Sequence, residues 1–116
     1  MARGGSRSVH AALDEVIEML SHYLVAYDVC DQKRLRQVHK TVKDFGFGVQ
    51  LSVYLCRLNA KDKANLEGLL LDIIHRDFDQ VLFVNLGAVT NPDEPVPRFG
   101  VLGRELAVGP GRVFVL

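Results

Sequence analysis

The sequence contains few of the patterns that mark common enzyme sites. Its 116 residues include only two cysteines, Cys30 and Cys56, and these lack the C-x-x-C spacing of a zinc centre. No glycine-rich phosphate loop follows a strand-like run, and Ser52 has no Gly-x-Ser-x-Gly context. These absences argue against a nucleotide-binding loop, a zinc site and a serine nucleophile. We interpret both cysteines as small buried residues of a protein in a reducing cytoplasm.

The chain also has no excess of charge of one sign. Fourteen basic residues balance fourteen acidic ones, whereas a protein with a large nucleic-acid footprint usually shows a basic excess. Any phosphate binding must therefore come from a local patch or from one built across several subunits. No apolar run reaches the roughly 18 residues that span a membrane, so we expect no membrane partner.

The apolar pattern predicts one α+β domain. Strands are predicted at residues 23–29 and 78–86, and an alternating strand pattern at 49–58. One helix is predicted at 32–45, with Gly46 as its stop, and a second after Asn59, which caps it. A ferredoxin-like βαββαβ sandwich needs two strands between its helices, so residues 47–58 must supply both, for instance as one long strand bent near Ser52.

The two ends of the chain are predicted to differ from this domain. Residues 1–21 are interpreted as an N-terminal extension, partly disordered or helical, and residues 22–116 as the domain. A tail at 88–116 contains strand-like segments at 99–106 and 113–116, which we expect to pair with a sheet edge in the same subunit or in a partner.

Asp28 is the candidate catalytic and metal-binding residue, because it ends an apolar strand and its carboxylate suits a hard cation such as Mg²⁺. One carboxylate makes a poor site, but a two-fold axis would bring two copies together with one shared ion. The alternative is a turn carboxylate that accepts backbone N–H groups. Asp31 is better interpreted as the cap of the following helix.

The helix after Asp31 has a predominantly basic outer face. Its cations either contact phosphate or form an ordinary solvated helix face; they are Lys33, Arg34, Arg36, Lys40 and Lys43. Tyr27 and Tyr54 either stack on bases or pack in the core. The four histidines are scattered along the sequence and none is assigned a role.

Three segments together resemble the CRISPR-associated endonuclease family, the smaller of the two universal spacer-acquisition proteins. They are Tyr-Leu-Val-Ala-Tyr-Asp-Val at 23–29 with the basic residues after it, Phe-Gly-Phe-Gly-Val-Gln-Leu-Ser-Val-Tyr at 45–54, and Val-Leu-Phe-Val-Asn-Leu-Gly at 81–87. The sequence departs from the family pattern at Leu35 and Gly48, where basic residues are common, and at Leu55, where an acidic one is.

The resemblance implies a ferredoxin-like homodimer in which Asp28 faces its dimer mate. It also implies a magnesium-dependent nuclease acting on RNA or DNA, with one ion shared across the dimer, and a role beside the CRISPR integrase subunit in spacer acquisition. Tyr27, Lys33, Arg34, Arg36 and Tyr54 are the candidate nucleic-acid-binding residues. Because phosphodiesters resist hydrolysis strongly, turnover is expected to be slow.

Other functions are compatible with the same sequence features. The dimer would also suit a non-catalytic scaffold that bridges DNA for the integrase, or a toxin-type ribonuclease on the same fold. A ligand-binding regulatory domain of this fold is expected to carry a glycine-rich loop before the first helix, and the sequence has none there.

Overall fold

The computed structural model describes residues 20–93, 96–106 and 114–115, with side chains up to residue 106. The predicted N-terminal extension therefore lies outside the described residues, apart from Leu20 and Ser21. The elements are β1 (Ser21–Asp28), α1 (Gln32–Lys43), β2 (Gly46–Gln50), β3 (Val53–Leu58), α2 (Ala60–Leu71), β4 (Gln80–Ala88), β5 (Gly100–Val101) and β6 (Phe114–Val115).

The first four strands form one antiparallel sheet in the order β2-β3-β1-β4. Strand β1 lies in the middle, which explains why its sequence is almost continuously apolar. Each helix connects two strands that are not neighbours in the sheet. This is the βαββαβ topology of a ferredoxin-like fold, and the predicted fold class is confirmed.

Both helices begin at the caps that the sequence predicts. The Asp31 carboxylate accepts a hydrogen bond from the Arg34 backbone N–H at 2.9 Å, and the Asn59 side chain accepts one from the Asp62 N–H at 2.8 Å. Each cap satisfies an N–H group that has no partner inside its helix. Helix α1 ends at Lys43, two residues before the predicted end.

Strands β2 and β3 form a hairpin rather than one bent strand. The chain reverses at Leu51 and Ser52, where Ser52 adopts a positive φ of 66°. Gly46, predicted to stop α1, instead begins β2 where the two strands approach closely. A Cβ atom at Gly46 would overlap the Leu55 carbonyl oxygen and lie 2.6 Å from Cys56 Sγ.

The core lies between the helices and one face of the sheet. Strand side chains alternate between the two faces of a sheet, and the core-facing set includes Val25 and Tyr27 of β1 with Tyr54 and Cys56 of β3. The helices contribute fully or almost fully buried aliphatic side chains, namely Val38, Val42, Leu66 and Leu70.

The two cysteines differ in environment. Cys56 is buried as predicted, and burial raises the pKa of its thiol to about 11. Cys30 is exposed, so the prediction that both are buried is wrong for Cys30, because it lies in the loop just beyond the end of β1. Both thiols are free.

The tail strands β5 and β6 pair with each other in parallel, in a small separate sheet. The segment leading to β5 lies against the second face of the main sheet, where Pro97 and Phe99 line a cavity together with Leu24 and Leu55. Within the described residues, no helix has the length and apolar character to cross a membrane.

Candidate nucleic-acid and metal site

Asp28 lies at the end of β1 with an exposed side chain. In the described part of the chain, no residue forms a hydrogen bond or ion pair with its carboxylate. Because side chains alternate along a strand, Asp28 projects from the face of the sheet that Leu24 and Ala26 occupy, opposite to the helices. The carboxylate is therefore available to a partner from outside the chain.

The sheet face that carries Asp28 is apolar and partly uncovered. In the antiparallel register Ala26 lies opposite Leu82 and Leu24 lies opposite Val84, and directly paired residues share a face. The side chains of Leu82, Val84 and Leu86 are 52%, 38% and 45% exposed. We call Asp28 with Leu82, Val84 and Leu86 the open face.

A second aspartate near Asp28 has the opposite character. The Asp79 side chain is fully buried and accepts hydrogen bonds from the Arg34 guanidinium at 2.7 and 3.1 Å. It also accepts from the backbone N–H groups of Cys30 at 3.0 Å and His75 at 2.8 Å. The bonds from Arg34 lower the pKa of the Asp79 carboxyl far below its ordinary value, although desolvation opposes this.

The ion pair with Asp79 gives Arg34 a structural role. Its guanidinium holds the β1–α1 loop against the loop before β4 and is only partly exposed. By contrast Lys33 and Arg36 are exposed and form no ion pair with any described residue. Lys40 and Lys43, further along α1, are likewise exposed. The predicted basic face therefore exists, with Arg34 at its inner edge.

The two candidate tyrosines lie in the core. Tyr27 and Tyr54 are 6% and 7% exposed, with their rings stacked at a centroid distance of 6.4 Å. Neither ring offers a free face to a base. Their hydroxyl groups instead approach Nδ1 of His39 at 2.9 and 3.5 Å. Sequence patterns do not single out His39, because its contact with the tyrosines joins a helix to two strands.

The described residues of one chain do not form a complete metal site. Among the described residues, no group of three or more histidine, cysteine or acidic side chains is arranged to hold an ion. The oxygen donors of Asp28 suit a hard cation such as Mg²⁺, but one carboxylate is an incomplete site. The residues therefore fit a cation only if a second chain or a phosphate supplies further oxygen ligands.

Comparisons with known proteins agree on one family. Residues 19–91 match the family model described as CRISPR associated protein Cas2. The chain is 44% identical over 78 residues to "CRISPR-associated endoribonuclease Cas2 1" of Rhodospirillum rubrum, covering 67% of this chain and 76% of the relative. It is 36% identical over 78 residues to "CRISPR-associated endoribonuclease Cas2" of Geobacter sulfurreducens, covering 67% of this chain and 82% of that protein.

Solved structures show the same relationship. A structure described as "Crystal structure of cas2" superimposes with a TM-score of 0.59 at 31% identity, covering 74% of this chain and 90% of the other. Cas2 of Streptococcus pyogenes superimposes with a TM-score of 0.54 at 35% identity, covering 57% of this chain and 86% of the other.

Proposed function

The chain belongs to the CRISPR-associated Cas2 family, and we propose that it is a metal-dependent endoribonuclease that acts as a homodimer. The observation that carries the proposal is the exposed Asp28 carboxylate on an apolar sheet face, without a partner among the described residues. The names of the relatives support a nuclease, and they favour RNA as the substrate. We further propose that the dimer works beside the CRISPR integrase subunit in spacer acquisition, in the cytoplasm.

The open face supports the homodimer. It exposes three large aliphatic side chains in a row along β4, and contiguous exposed apolar surface is typical of interaction sites. A second copy is the simplest occupant, since a two-fold axis pairs identical patches. Because Asp28 shares this face, a dimer formed through it brings both Asp28 carboxylates to the interface, and they face each other if the two-fold axis passes beside the end of β1.

Paired carboxylates explain a need for a cation. At a separation of about 4 Å and an effective dielectric constant of about 20, two such charges repel by roughly 4 kcal/mol. A shared proton or a divalent ion relieves this repulsion. Mg²⁺ held by the two Asp28 side chains would supply Lewis acidity and a site for water.

The residues around Asp28 have separate tasks in this scheme. Arg34 fixes the loop after β1 through Asp79, so the backbone next to Asp28 is held in place. The exposed cations Lys33 and Arg36 lie on α1, which starts four residues after Asp28. In this scheme they contact phosphates of the bound strand and so set its register.

The deciding experiment compares Asp28→Asn with Asp31→Asn in a cleavage assay on labelled single-stranded RNA. Both changes remove one exposed acidic charge near the end of β1, and asparagine still caps a helix at position 31. Asp28→Asn is expected to abolish Mg²⁺-dependent cleavage without lowering the melting temperature. Asp31→Asn is expected to retain cleavage.

Two results would contradict the nuclease proposal. One is cleavage by purified Asp28→Asn at the wild-type rate, and the other is wild-type cleavage that persists in EDTA. A wild-type protein that forms a complex with the integrase subunit but cuts no RNA or DNA would support the scaffold function instead. Spacer acquisition with Asp28→Asn in cells then shows whether that carboxylate is needed at all.

A further inference from the structure

His39 is the exposed end of a buried hydrogen-bonded cluster. Its Nδ1 lies 2.9 Å from the Tyr27 hydroxyl and 3.5 Å from that of Tyr54. The imidazole also meets the Tyr54 ring edge-on at a centroid distance of 5.7 Å. Both tyrosines are buried, whereas His39 is exposed on α1. The core thus holds one edge of a ring whose other edge faces solvent.

The cluster fixes the orientation of the His39 ring. Both tyrosine hydroxyl groups approach the same nitrogen, Nδ1, so this edge of the imidazole is the one that the core engages. Among the described residues, the other nitrogen, Nε2, has no hydrogen-bond partner. Because His39 is exposed on α1, Nε2 is the ring atom through which it can bind a ligand.

Two adjacent surface cavities share His39. The first, of about 480 Å³, is lined by Tyr27, Leu35, Arg36, His39, Leu51 and Ser52. The second, of about 460 Å³, is lined by His39, residues 48–51, Arg104, Glu105 and Leu106. Volumes of this order suit small ligands or single nucleotides. We call the two together the α1–hairpin groove.

The groove combines positive charge with apolar surface. Arg36 lies in its first cavity and Arg104 in its second, against the single acidic side chain of Glu105. Leu51, between them, is 92% exposed at the hairpin tip. Proteins bind unpaired strands through positively charged grooves that follow the backbone, and the exposed Leu51 adds apolar surface beside these cations.

We propose that the α1–hairpin groove binds single-stranded RNA and that His39 donates a hydrogen bond from Nε2 to one of its phosphates. Tyr27 is the positioning residue that orients the imidazole. Arg36 and Arg104 contact phosphates on the two sides of His39. This inference rests on the proposed function for its substrate, and it concerns binding alone.

Binding is tested by fluorescence anisotropy with the full-length protein and a 5′-fluorescein-labelled single-stranded RNA of 12 nucleotides. All measurements are made in EDTA, and a gel checks that the RNA stays intact. Loss of a hydrogen bond to a charged group predicts that His39→Ala raises Kd about tenfold. Arg36→Ala raises Kd and reduces the salt slope by about one, whereas Lys61→Ala, an exposed cation on α2, leaves both unchanged.

Further variants separate a phosphate contact from a packing role. His39→Gln places an amide N–H near the position of Nε2 and is expected to recover most of the lost affinity. Tyr27→Phe keeps the buried ring but removes the hydroxyl, and it is expected to raise Kd about threefold in the wild type and not at all beside His39→Ala.

Several outcomes would overturn the proposal. They are an unchanged Kd for folded His39→Ala, a His39→Gln variant as weak as His39→Ala, or a Tyr27→Phe effect of equal size with and without His39. Tighter binding of a matched duplex would assign the groove to another ligand. RNA cleavage in EDTA, seen on the gel, would instead contradict the metal-dependent function. The Kd values of the variants would then be compared on a DNA strand of the same sequence.

Discussion

Leu82→Glu on the open face is expected to separate the proposed dimer into monomers. Fully burying a leucine contributes roughly 1.5–3 kcal/mol. The Leu82 side chain is 52% exposed in the single chain, and a two-fold interface buries two copies. Removing this apolar contact alone therefore costs about 2–3 kcal/mol per dimer, which raises the dimer Kd about 30- to 150-fold. The introduced carboxylate, desolvated near the Asp28 pair, weakens the dimer further.

Sedimentation velocity over a range of protein concentrations measures this shift directly. Leu69→Glu is the matched control, since Leu69 is 44% exposed but lies on α2, on the helix side of the sheet. It is expected to sediment as wild type. A Leu82→Glu variant that remains dimeric at the same concentrations as wild type would refute the use of the open face, and with it the pairing of Asp28 carboxylates.

Two further predictions concern stability. The folded-state pKa of Asp79 is lowered from about 3.8. The stability that its carboxylate contributes is therefore present above that pH and is lost as the pH falls towards the lowered value. Asp79→Asn should be less stable than wild type at pH 7, and its stability against urea should fall less between pH 5 and pH 2. Equal acid dependence of the two proteins would contradict this. Gly46→Ala should lower the melting temperature because its Cβ meets the Leu55 carbonyl oxygen. Gly68→Ala, at an exposed position of α2 with open space for a methyl group, should add up to about 1 kcal/mol to the free energy of unfolding. The reverse order of melting temperatures would show that the hairpin can open to admit a methyl group.

The sequence predicted what depends on local pattern. Apolar periodicity located both helices and the central strand, and the caps at Asp31 and Asn59 followed from residue type and position. The hairpin turn was harder, since alternation continues from Val49 through Leu55 without a glycine or proline. Ser52 reverses the chain with a positive φ, a conformation that residue type rarely signals outside glycine and asparagine.

The candidate site was predictable only in part, because its contacts join distant segments. Asp28 was a candidate because of its place at the end of an apolar strand, and the structure shows it exposed there. The pairing of Arg34 with Asp79 spans 45 residues, and that of Tyr27 with His39 spans twelve, across the strand and helix layers. No sequence periodicity links such partners. The sequence therefore does not show that Arg34, assigned to phosphate binding, also holds a loop, or that His39 contacts the tyrosines.

The two aspartates at this end of the sheet lie in opposite environments, one with its charge compensated inside the protein and the other exposed. Asp79 accepts four hydrogen bonds from the protein, so its charge is already compensated and a cation would have to displace Arg34 to reach it. Asp28 is two residues from Cys30, whose N–H is one of those donors, yet among the described residues its own carboxylate has no partner. The buried aspartate fixes the loop, and this leaves the exposed aspartate held in position without a partner among the described residues. A carboxylate on a rigid support loses little conformational freedom when a second chain, a cation or both supply its partner.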